Sequence, residues 1–398
     1  MTKLIYTQLL EACSPGGASV LTSVTELAPA GGAHAAVAPA KFVVGTNSVF
    51  AYETRYIDGE PLVAVVIDSK SSQLNRVEQP ISFAVVDGHP VLSRIPRIRV
   101  SYDNESYTDI ELPHRCFDGH IRAGSVDGKP VTDHAAYRAA RDASPSDARA
   151  LLEMSPVSLV LGAWDSSRRT HQGRYRSALV GEIVGVLADQ GPDAKTPPLR
   201  GGARVDPVAM SVQLSGSDME KLVKAQESEL SSKNINGIRE DVKKAKTKPL
   251  SASPLGLGGI PPTLNALGAV ACRRITRTHV LSFSALRQLR FGADEAGNAA
   301  CRSLLAALAL NGLARSDAEL SLRANCDLVE LGPATVLLDQ RYGKNLELEP
   351  LTITEADALL ESAIEQAAKK AGIRWEGQIF EVVGNPVVLR GAIEESDE

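Results

Sequence analysis

The sequence predicts an α+β fold, in which strands and helices mix without regular alternation. Strand-like runs cluster in the first third of the chain, whereas the most periodic helix lies near its C-terminus. A doubly wound parallel sheet would need strands and helices that alternate along the chain. A hydrophobic content of 43 % in 398 residues is typical of a folded protein, and the length indicates two to three domains or one core with large insertions. We therefore expect a sheet with long insertions.

The first part of the chain, residues 1–187, is rich in predicted strands. Runs of β-branched and aromatic residues between turn-forming pairs such as Asp58-Gly59 are typical of strands. Strands are expected over Ala51–Ile57, Pro61–Asp68, Ile81–Val86, Arg97–Tyr102, Thr108–Leu112 and Pro156–Trp164. Helices are expected over Ser71–Glu78 and over Ala135–Glu153, with a break near Ser144-Pro145. The apolar run Ser177–Leu187 fits a strand or a buried helix.

The composition changes near residue 188, and residues 188–262 are expected to form a charged insertion rich in Gly and Pro. Within it, Ser217–Lys248 holds 14 charged residues among 32, which predicts an exposed helical excursion or a mobile loop. Residues 263–398 complete the fold. Their expected elements are strands Arg274–Ser282, Gln378–Val383 and Pro386–Leu389, paired strands within Asp327–Asp339, and helices Phe283–Leu289, Cys301–Leu310 and Thr354–Ala371, the last with Thr354 and Asp357 as a capping box.

The net charge of −5 is unevenly placed along the chain. Twelve acidic and five basic residues lie between Lys344 and Glu398, which leaves residues 1–343 with a charge of +2. Between Val270 and Phe291 there are five arginines and no acid. The acidic total argues against a protein that coats nucleic acid by bulk positive charge, but it leaves room for a local basic groove.

Catalytic, cofactor and metal signatures are missing from the sequence. The chain has no P-loop, nucleophile elbow or HExxH motif, and His114, Cys116 and His120 have no second ligand cluster nearby. Five scattered cysteines without a CxxC pair are typical of reduced thiols. The N-terminus resembles no signal peptide and no run is apolar enough to span a membrane. We expect a cytoplasmic protein with no catalytic residues, no metal and no cofactor.

Two segments favour contact with a sugar-phosphate backbone. Asp68–Arg76 follows an apolar strand with hydroxyls, amides and cations, which bind phosphates and sugars or simply begin a capped helix. Ser155–Asp165 is an apolar run that ends in a Trp-Asp turn, and four arginines follow within Ser166–Arg176. Arginines bind phosphate bidentately and stack on bases, although a solvated basic loop has the same composition. Asp165 is expected in a structural salt bridge with a neighbouring arginine, rather than as a metal or acid–base carboxylate.

In this order, the segments resemble the backbone RAMP subunit of the type I-G (formerly I-U) CRISPR effector complex, Cascade. The resemblance covers roughly residues 41–291 and leaves the C-terminal third unmatched. Its boxes are Asp68, Ser69, Ser72, Gln73, Asn75 and Arg76; Ser155 to Ser166; Arg176 to Gly185; Arg204, Asp206 and Pro207; the loop ending at Pro262; Arg277 to Ser282; and Ala285 to Phe291. The chain departs from the family at Pro39–Phe42, where a Pro-Pro-Thr-Tyr-like segment is expected, and in the arginine-rich loop, which is usually rich in Gly and Lys.

The resemblance implies an RRM-like (ferredoxin-like) antiparallel-sheet palm with long insertions, including a thumb. It implies a non-catalytic subunit that binds the guide RNA (crRNA), stacks head to tail with copies of itself and presents the guide for pairing with target DNA. Other Cascade subunits and a recruited helicase-nuclease would be its partners. An alternative is a metal-dependent RNA endonuclease subunit that uses Asp165 or Asp68. The expected RNA-binding residues are Lys41, Lys70, Ser72, Gln73, Asn75, Arg76, Arg168, Arg169, Arg174, Arg176, Arg273, Arg274 and Arg277.

Overall fold

The computed structural model describes residues 2–169, 172–202, 211–245, 248–258 and 263–391. The chain forms two compact units: a main unit of residues 1–195 and 270–398, and a second unit of residues 196–269. The second unit overlaps the predicted insertion. Within the described residues, the α-helices are α1 Tyr6–Cys13, α2 Lys70–Val86, α3 Gly119–Arg122, α4 Ala135–Arg141, α5 Arg149–Met154, α6 Pro156–Val160, α7 Gly216–Ala225, α8 Ser232–Ala245, α9 Phe283–Leu286, α10 Glu295–Ala318, α11 Ile353–Ala371 and α12 Pro386–Arg390.

The strands confirm the predicted α+β class. They are β1 Val20–Pro29, β2 Phe42–Val44, β3 Asn47–Val49, β4 Tyr52–Ile57, β5 Glu60–Asp68, β6 Arg97–Ser101, β7 Ser106–Thr108, β8 Ser125–Val126, β9 Lys129–Pro130, β10 Ala163–Trp164, β11 Arg174–Tyr175, β12 Leu179–Leu187, β13 Leu199–Gly202, β14 Gln213–Leu214, β15 Leu250–Ser251, β16 Thr263–Ala266, β17 Cys272–Ser282, β18 Leu328–Glu330, β19 Thr335–Asp339, β20 Asn345–Leu348 and β21 Ile379–Val383.

The main sheet has the strand order β20-β19-β1-β17-β12-β5-β4, and β18 pairs with the far end of β1. Each of β19, β1, β17, β12 and β5 is antiparallel to its neighbours. Along the chain, the central part of this sheet follows the path β1, α2, β12, β17, α10, β19. A second sheet in the main unit, β7-β6-β21-β8-β9, includes one parallel pair, β6 with β21.

One face of the main sheet is buried under the helices. The central strands alternate between buried and half-exposed side chains, so Leu21, Leu281 and Leu179 lie side by side on the buried face. Helix α10 is buried over most of its length and packs against α1, α2 and α11. At Gly312 of α10, an added Cβ would lie 2.6 Å from Val77 of α2, so this glycine permits the close approach of the two helices.

The second unit has a small core of its own. Helices α7 and α8 pack through Met219, Val223, Ile235 and Ile238, together with Ala252. Two short antiparallel pairs, β13 with β16 and β14 with β15, complete the described part of this unit. The helical form of the excursion predicted over Ser217–Lys248 is therefore confirmed. Among the described residues, no helix of either unit is long and apolar enough to cross a membrane.

Three predicted strands are wrong because a helix forms there. Ile81–Val86 continues α2, since Val77, Ile81 and Val85 lie one turn apart and are all buried. The run at 156–160 forms α6, which begins at Pro156 and is buried on all sides, so its sequence lacks a helical period. Pro386–Leu389 lies in α12, which has Asn385 as its N-cap and Pro386 at its first position.

Three further predictions need smaller corrections. Of the strand expected at 108–112, only Thr108 is in a strand, because a turn follows it. The strands around Gly332-Pro333 do not pair with each other; β18 and β19 each pair with a different part of β1. The capping box of α11 consists of Thr352 and Glu355, two residues before the predicted pair, while Gly372 ends the helix as expected.

Candidate nucleic-acid interface

The basic segment before β12 forms a short antiparallel hairpin, which we call the arginine hairpin (residues 163–176). Ala163 pairs with Tyr175, and Trp164 pairs with Arg174. Ala163 and Tyr175 are buried, whereas Trp164 and Arg174 are exposed. Arg176 follows the same alternation and is exposed, so the period of two along the strand presents the indole and two guanidinium groups on one side.

The inner side of the arginine hairpin is fixed to the main unit. Asp165 is buried, its backbone N–H donates to the carbonyl of Gly173 at 2.9 Å, and Nη1 of Arg122 donates to its Oδ1 at 3.2 Å. Asp165 therefore forms a salt bridge as predicted, but its partner is Arg122 and not an arginine that neighbours it in the sequence. An added Cβ at Gly173 would lie 2.7 Å from the ring of Phe117, so the strand packs directly on that ring. The outward side chains thus project from a rigid base.

The outward cations of the arginine hairpin are available to a ligand. Arg169, Arg174 and Arg176 are exposed and form no ion pair with any residue that the structure describes. The stretch from 166 to 176 contains no acid. Arg168 differs, because its side chain is only 19 % exposed and its Nη2 lies 2.7 Å from Oδ1 of Asp142. Arg168 therefore forms an ion pair within the chain, and its RNA contact stays a prediction.

The segment Asp68–Arg76 forms the junction between β5 and α2. Asp68 is buried and accepts a hydrogen bond from Nε2 of Gln73 at 2.5 Å, while Ser69 caps the helix by accepting from the N–H of Ser72. Ser72 and Gln73 are themselves buried. Their role as RNA contacts stays a prediction, although in this conformation the junction covers both side chains.

Three other predicted residues of this junction remain accessible. Lys70 and Asn75 are exposed, and Arg76 is half-buried. Nη1 of Arg76 lies 3.5 Å from the hydroxyl of Ser321, while its Nε is buried without a hydrogen-bond partner among the described residues. Nζ of Lys70 is 4.0 Å from Glu182, too far for a strong ion pair.

Strand β17 presents fewer accessible arginines to a ligand than its sequence suggests. Arg277 lies on the buried face, only 2 % exposed, and its Nη2 is 2.7 Å from Glu330 and 3.2 Å from Asp317. Two acids therefore hold Arg277 on the buried face, and its RNA contact stays a prediction. Arg274 is partly exposed and paired with Asp58 at 2.8 Å. Among the predicted residues outside the arginine hairpin and the α2 junction, Arg273 and Lys41 are exposed.

The accessible residues do not converge on one pocket. The arginine hairpin leads into β12 just before Leu179, Asp68 lies opposite Ile183, and Arg274 lies opposite Val186 near the other end of the strand. Seven residues of strand correspond to about 23 Å. An extended polyanion matches such a spread better than a small-molecule ligand does.

The two carboxylates of the endonuclease alternative are both held in structural contacts. Asp165 is bound by Arg122, and Asp68 is bound by Gln73. Within the ranges that the structure describes, no group of three or more His, Cys, Asp and Glu side chains is arranged to hold a metal ion. These contacts position the two aspartates, while Oδ1 of Asp68 and Oδ2 of Asp165 have no hydrogen-bond partner among the described residues.

Trp164 is a candidate contact residue that the sequence reasoning missed. It is 51 % exposed, and Cζ of Arg174 lies 5.2 Å from the centroid of its ring. Trp164 ends a predicted strand and lies between Ala163 and Asp165, both of which are buried. That alternation indicates an outward-facing indole.

Residues 21–190 match the family model described as CRISPR-associated protein GSU0053. The matched range begins in β1, ends after β12, and includes the α2 junction and the arginine hairpin. No curated protein matches the chain significantly.

Proposed function

We propose that the chain, whose residues 21–190 match a CRISPR-associated family model, is the non-catalytic backbone subunit of a Cascade-type effector complex. The subunit binds the guide RNA (crRNA), and copies of it stack head to tail along the guide in the cytoplasm. The bound guide pairs with target DNA, so base pairing supplies sequence specificity while the protein holds the backbone. Other Cascade subunits complete the complex, which recruits a helicase-nuclease.

The observation that carries the proposal is the outward row of cations on the arginine hairpin. Arg169, Arg174 and Arg176 are exposed on a rigid base, in a stretch without acids. Guanidinium groups bind phosphate oxygens bidentately, and such contacts fix the register of a nucleic acid without reading its bases. This chemistry suits a subunit that must accept guides of any sequence.

The main sheet supports an RRM-like (ferredoxin-like) palm. Its β-α-β-β-α-β path has the connectivity of that class, and helices cover only one face. The other face presents half-exposed Thr276, Thr278 and Val280, while Arg55 binds Glu182 there at 2.8 Å. Because Arg55 is paired with Glu182 and Arg274 with Asp58, we expect the arginine hairpin to supply most of the phosphate contacts.

The proposal is tested by expressing the chain together with a CRISPR array. We expect purified protein to carry RNA of uniform length in an oligomer. The triple variant Arg169→Ala, Arg174→Ala, Arg176→Ala should bind RNA at least tenfold more weakly, with a salt slope reduced by about 2. The matched control Arg138→Ala, Lys369→Ala, Arg390→Ala removes the same charge from exposed sites elsewhere in the main unit and should bind almost as the wild type does.

A monomeric, RNA-free wild-type protein in this experiment would overturn the proposal. Equal losses in the triple variant and its control would instead show that only net charge matters, which contradicts the assigned contacts. The same complex, incubated with complementary RNA and Mg²⁺, should leave that RNA intact. Cleavage that is abolished by Asp165→Ala would replace the non-catalytic role with that of an endonuclease subunit.

A further inference from the structure

Trp164 is the exposed one of the two tryptophans in the chain. It is 51 % exposed, whereas Trp375 is 1 % exposed in the core of the main unit. An isolated exposed apolar side chain is ordinary in a folded protein, so exposure alone assigns no role. What distinguishes Trp164 is its setting, because it is held on the fixed arginine hairpin and has a guanidinium group on its ring.

The pairing in the hairpin explains this setting. Trp164 and Arg174 are directly opposite each other in the ladder, and the guanidinium carbon lies 5.2 Å from the centroid of the indole. This is a cation–π contact, which orients both side chains. The indole remains 51 % exposed beside Arg174, so part of its surface is accessible to a flat ligand.

The charges around the indole favour a nucleotide as that ligand. Arg176 is exposed on the same side of the strand two residues beyond Arg174, and Arg169 is exposed in the preceding loop. Asp165, the acid next to Trp164 in sequence, is buried and bound by Arg122. An aromatic ring beside free arginines is the combination that binds single-stranded nucleic acid by stacking a base while contacting the adjacent phosphates.

We propose that Trp164 stacks against one unpaired base of the bound RNA and that Arg174 holds the indole in position for this contact. Stacking is tolerant of sequence, because every base has a π-face, so the contact suits a guide of any sequence. This inference rests on the proposed function. It adds that the nucleotide held by the arginine hairpin is unstacked from its neighbours in the RNA.

The test uses tryptophan emission of the full chain titrated with single-stranded RNA and with a duplex of the same sequence. We expect single-stranded RNA to quench the emission and the duplex to quench it much less. Trp164→Phe leaves Trp375 as the only tryptophan and should abolish the quenching of tryptophan emission while it retains most of the affinity, because a ring remains. Trp164→Ala should bind 5- to 100-fold more weakly with an unchanged salt slope, since no charge is lost.

A matched control is Tyr342→Ala, which removes a fully exposed aromatic ring from a turn and should bind RNA as the wild type does. If the wild type binds no RNA, the proposed function fails. If Trp164→Ala binds RNA as tightly as the wild type and wild-type emission is unquenched, the stacking inference fails and the proposed function stands. If Trp164→Ala binds RNA normally but loses its oligomeric state, Trp164 contacts a second copy of the chain, which also overturns the stacking inference.

Discussion

At the scale of single residues, Asp109 links stability to pH. It is completely buried, its Oδ1 accepts the N–H of Ile98 at 2.9 Å, and burial raises its pKa to about 7. Its ordinary pKa is near 3.8, so between these values the folded state holds a proton that the unfolded state has released. The stabilisation is complete below pH 3.8 and decreases up to pH 7, by at most about 1.4 kcal/mol per pH unit.

Asp109→Asn keeps the oxygen that accepts from Ile98 but cannot ionise. We therefore expect the variant to gain stability relative to the wild type, by about 1 kcal/mol or more, as the pH rises from 5 to 7.5. Urea unfolding at both pH values measures this difference. Asp103→Asn, at an exposed position, is the control and should change with pH as the wild type does. Parallel pH dependence of Asp109→Asn and the wild type would contradict the prediction.

The residue type of Arg277 suggested an RNA contact, whereas the alternation along its strand indicates that the side chain faces the core. Ile275, Arg277 and Leu281 share one face of β17, and the two apolar members already indicated the core. The acids that pair with Arg277 lie 40 and 53 residues later in the chain, so no local pattern indicates this contact. Asp165 was easier to predict, because an isolated acid beside several arginines favours an ion pair, although the partner Arg122 was not foreseeable.

At the scale of elements, the pairing of β12 with β17 depends on Gly181. This glycine lies opposite His279, and a Cβ added there would be 2.1 Å from the Cδ2 of the ring. His279 is itself buried, and burial lowers its pKa to about 3, so the ring is neutral and packs as part of the core. We expect Gly181→Ala to lower the free energy of unfolding by about 2 kcal/mol or more, because the buried ring has no room to move.

Chemical denaturation measures this effect, with Gly201→Ala as the control. Gly201 also lies in a strand, but an added Cβ would make only an ordinary contact at 3.9 Å with Leu264. In the double variant Gly181→Ala, His279→Ala, the removed ring should restore space, and the two substitutions should couple by more than 1 kcal/mol. Purely additive effects would show that the histidine is not the obstacle.

Local sequence predicted elements well where the pattern and the environment agree. Strands β5 and β17 and helix α11 were found to within a few residues because alternation or a helical stripe is visible there. The end of α2 and all of α6 were missed, since β-branched or uniformly apolar runs fit either structure until the partner surface is known. The end of α2 is helical because it packs against α10. The run 156–160 is helical in a setting where every residue is buried.

At the scale of the whole molecule, strand order was the least predictable property. β1 and β17 are neighbours although about 250 residues separate them, and β1 was not among the predicted strands. Nothing local encodes such a pairing. For the same reason, only part of the site was predictable. The arginine-rich stretch is evident in the sequence, but Trp164 becomes a candidate only when its cross-strand partner Arg174 is known.

The separation into two units leads to the last prediction. The chain leaves and re-enters the main unit at adjacent strand ends: Leu187 lies opposite Cys272, and the N–H of Ala188 donates to the carbonyl of Ala271 at 2.9 Å. Replacing residues 196–269 with a Gly-Ser linker of about four residues therefore needs no movement of either strand, and a shorter loop lowers the entropy cost of closing it. We expect the shortened chain to unfold cooperatively, with a Tm within a few degrees of the wild type.

RNA titration of the same variant separates the roles of the two units. The arginine hairpin lies in the main unit, so the shortened chain should keep the salt slope of the full chain and the quenching of Trp164. The triple variant of Arg169, Arg174 and Arg176, made in the shortened chain, should weaken binding as much as it does in the full chain. A shortened chain that folds cooperatively yet loses most of its RNA affinity would show that the main phosphate contacts lie in residues 196–269, and the arginine hairpin would then be secondary.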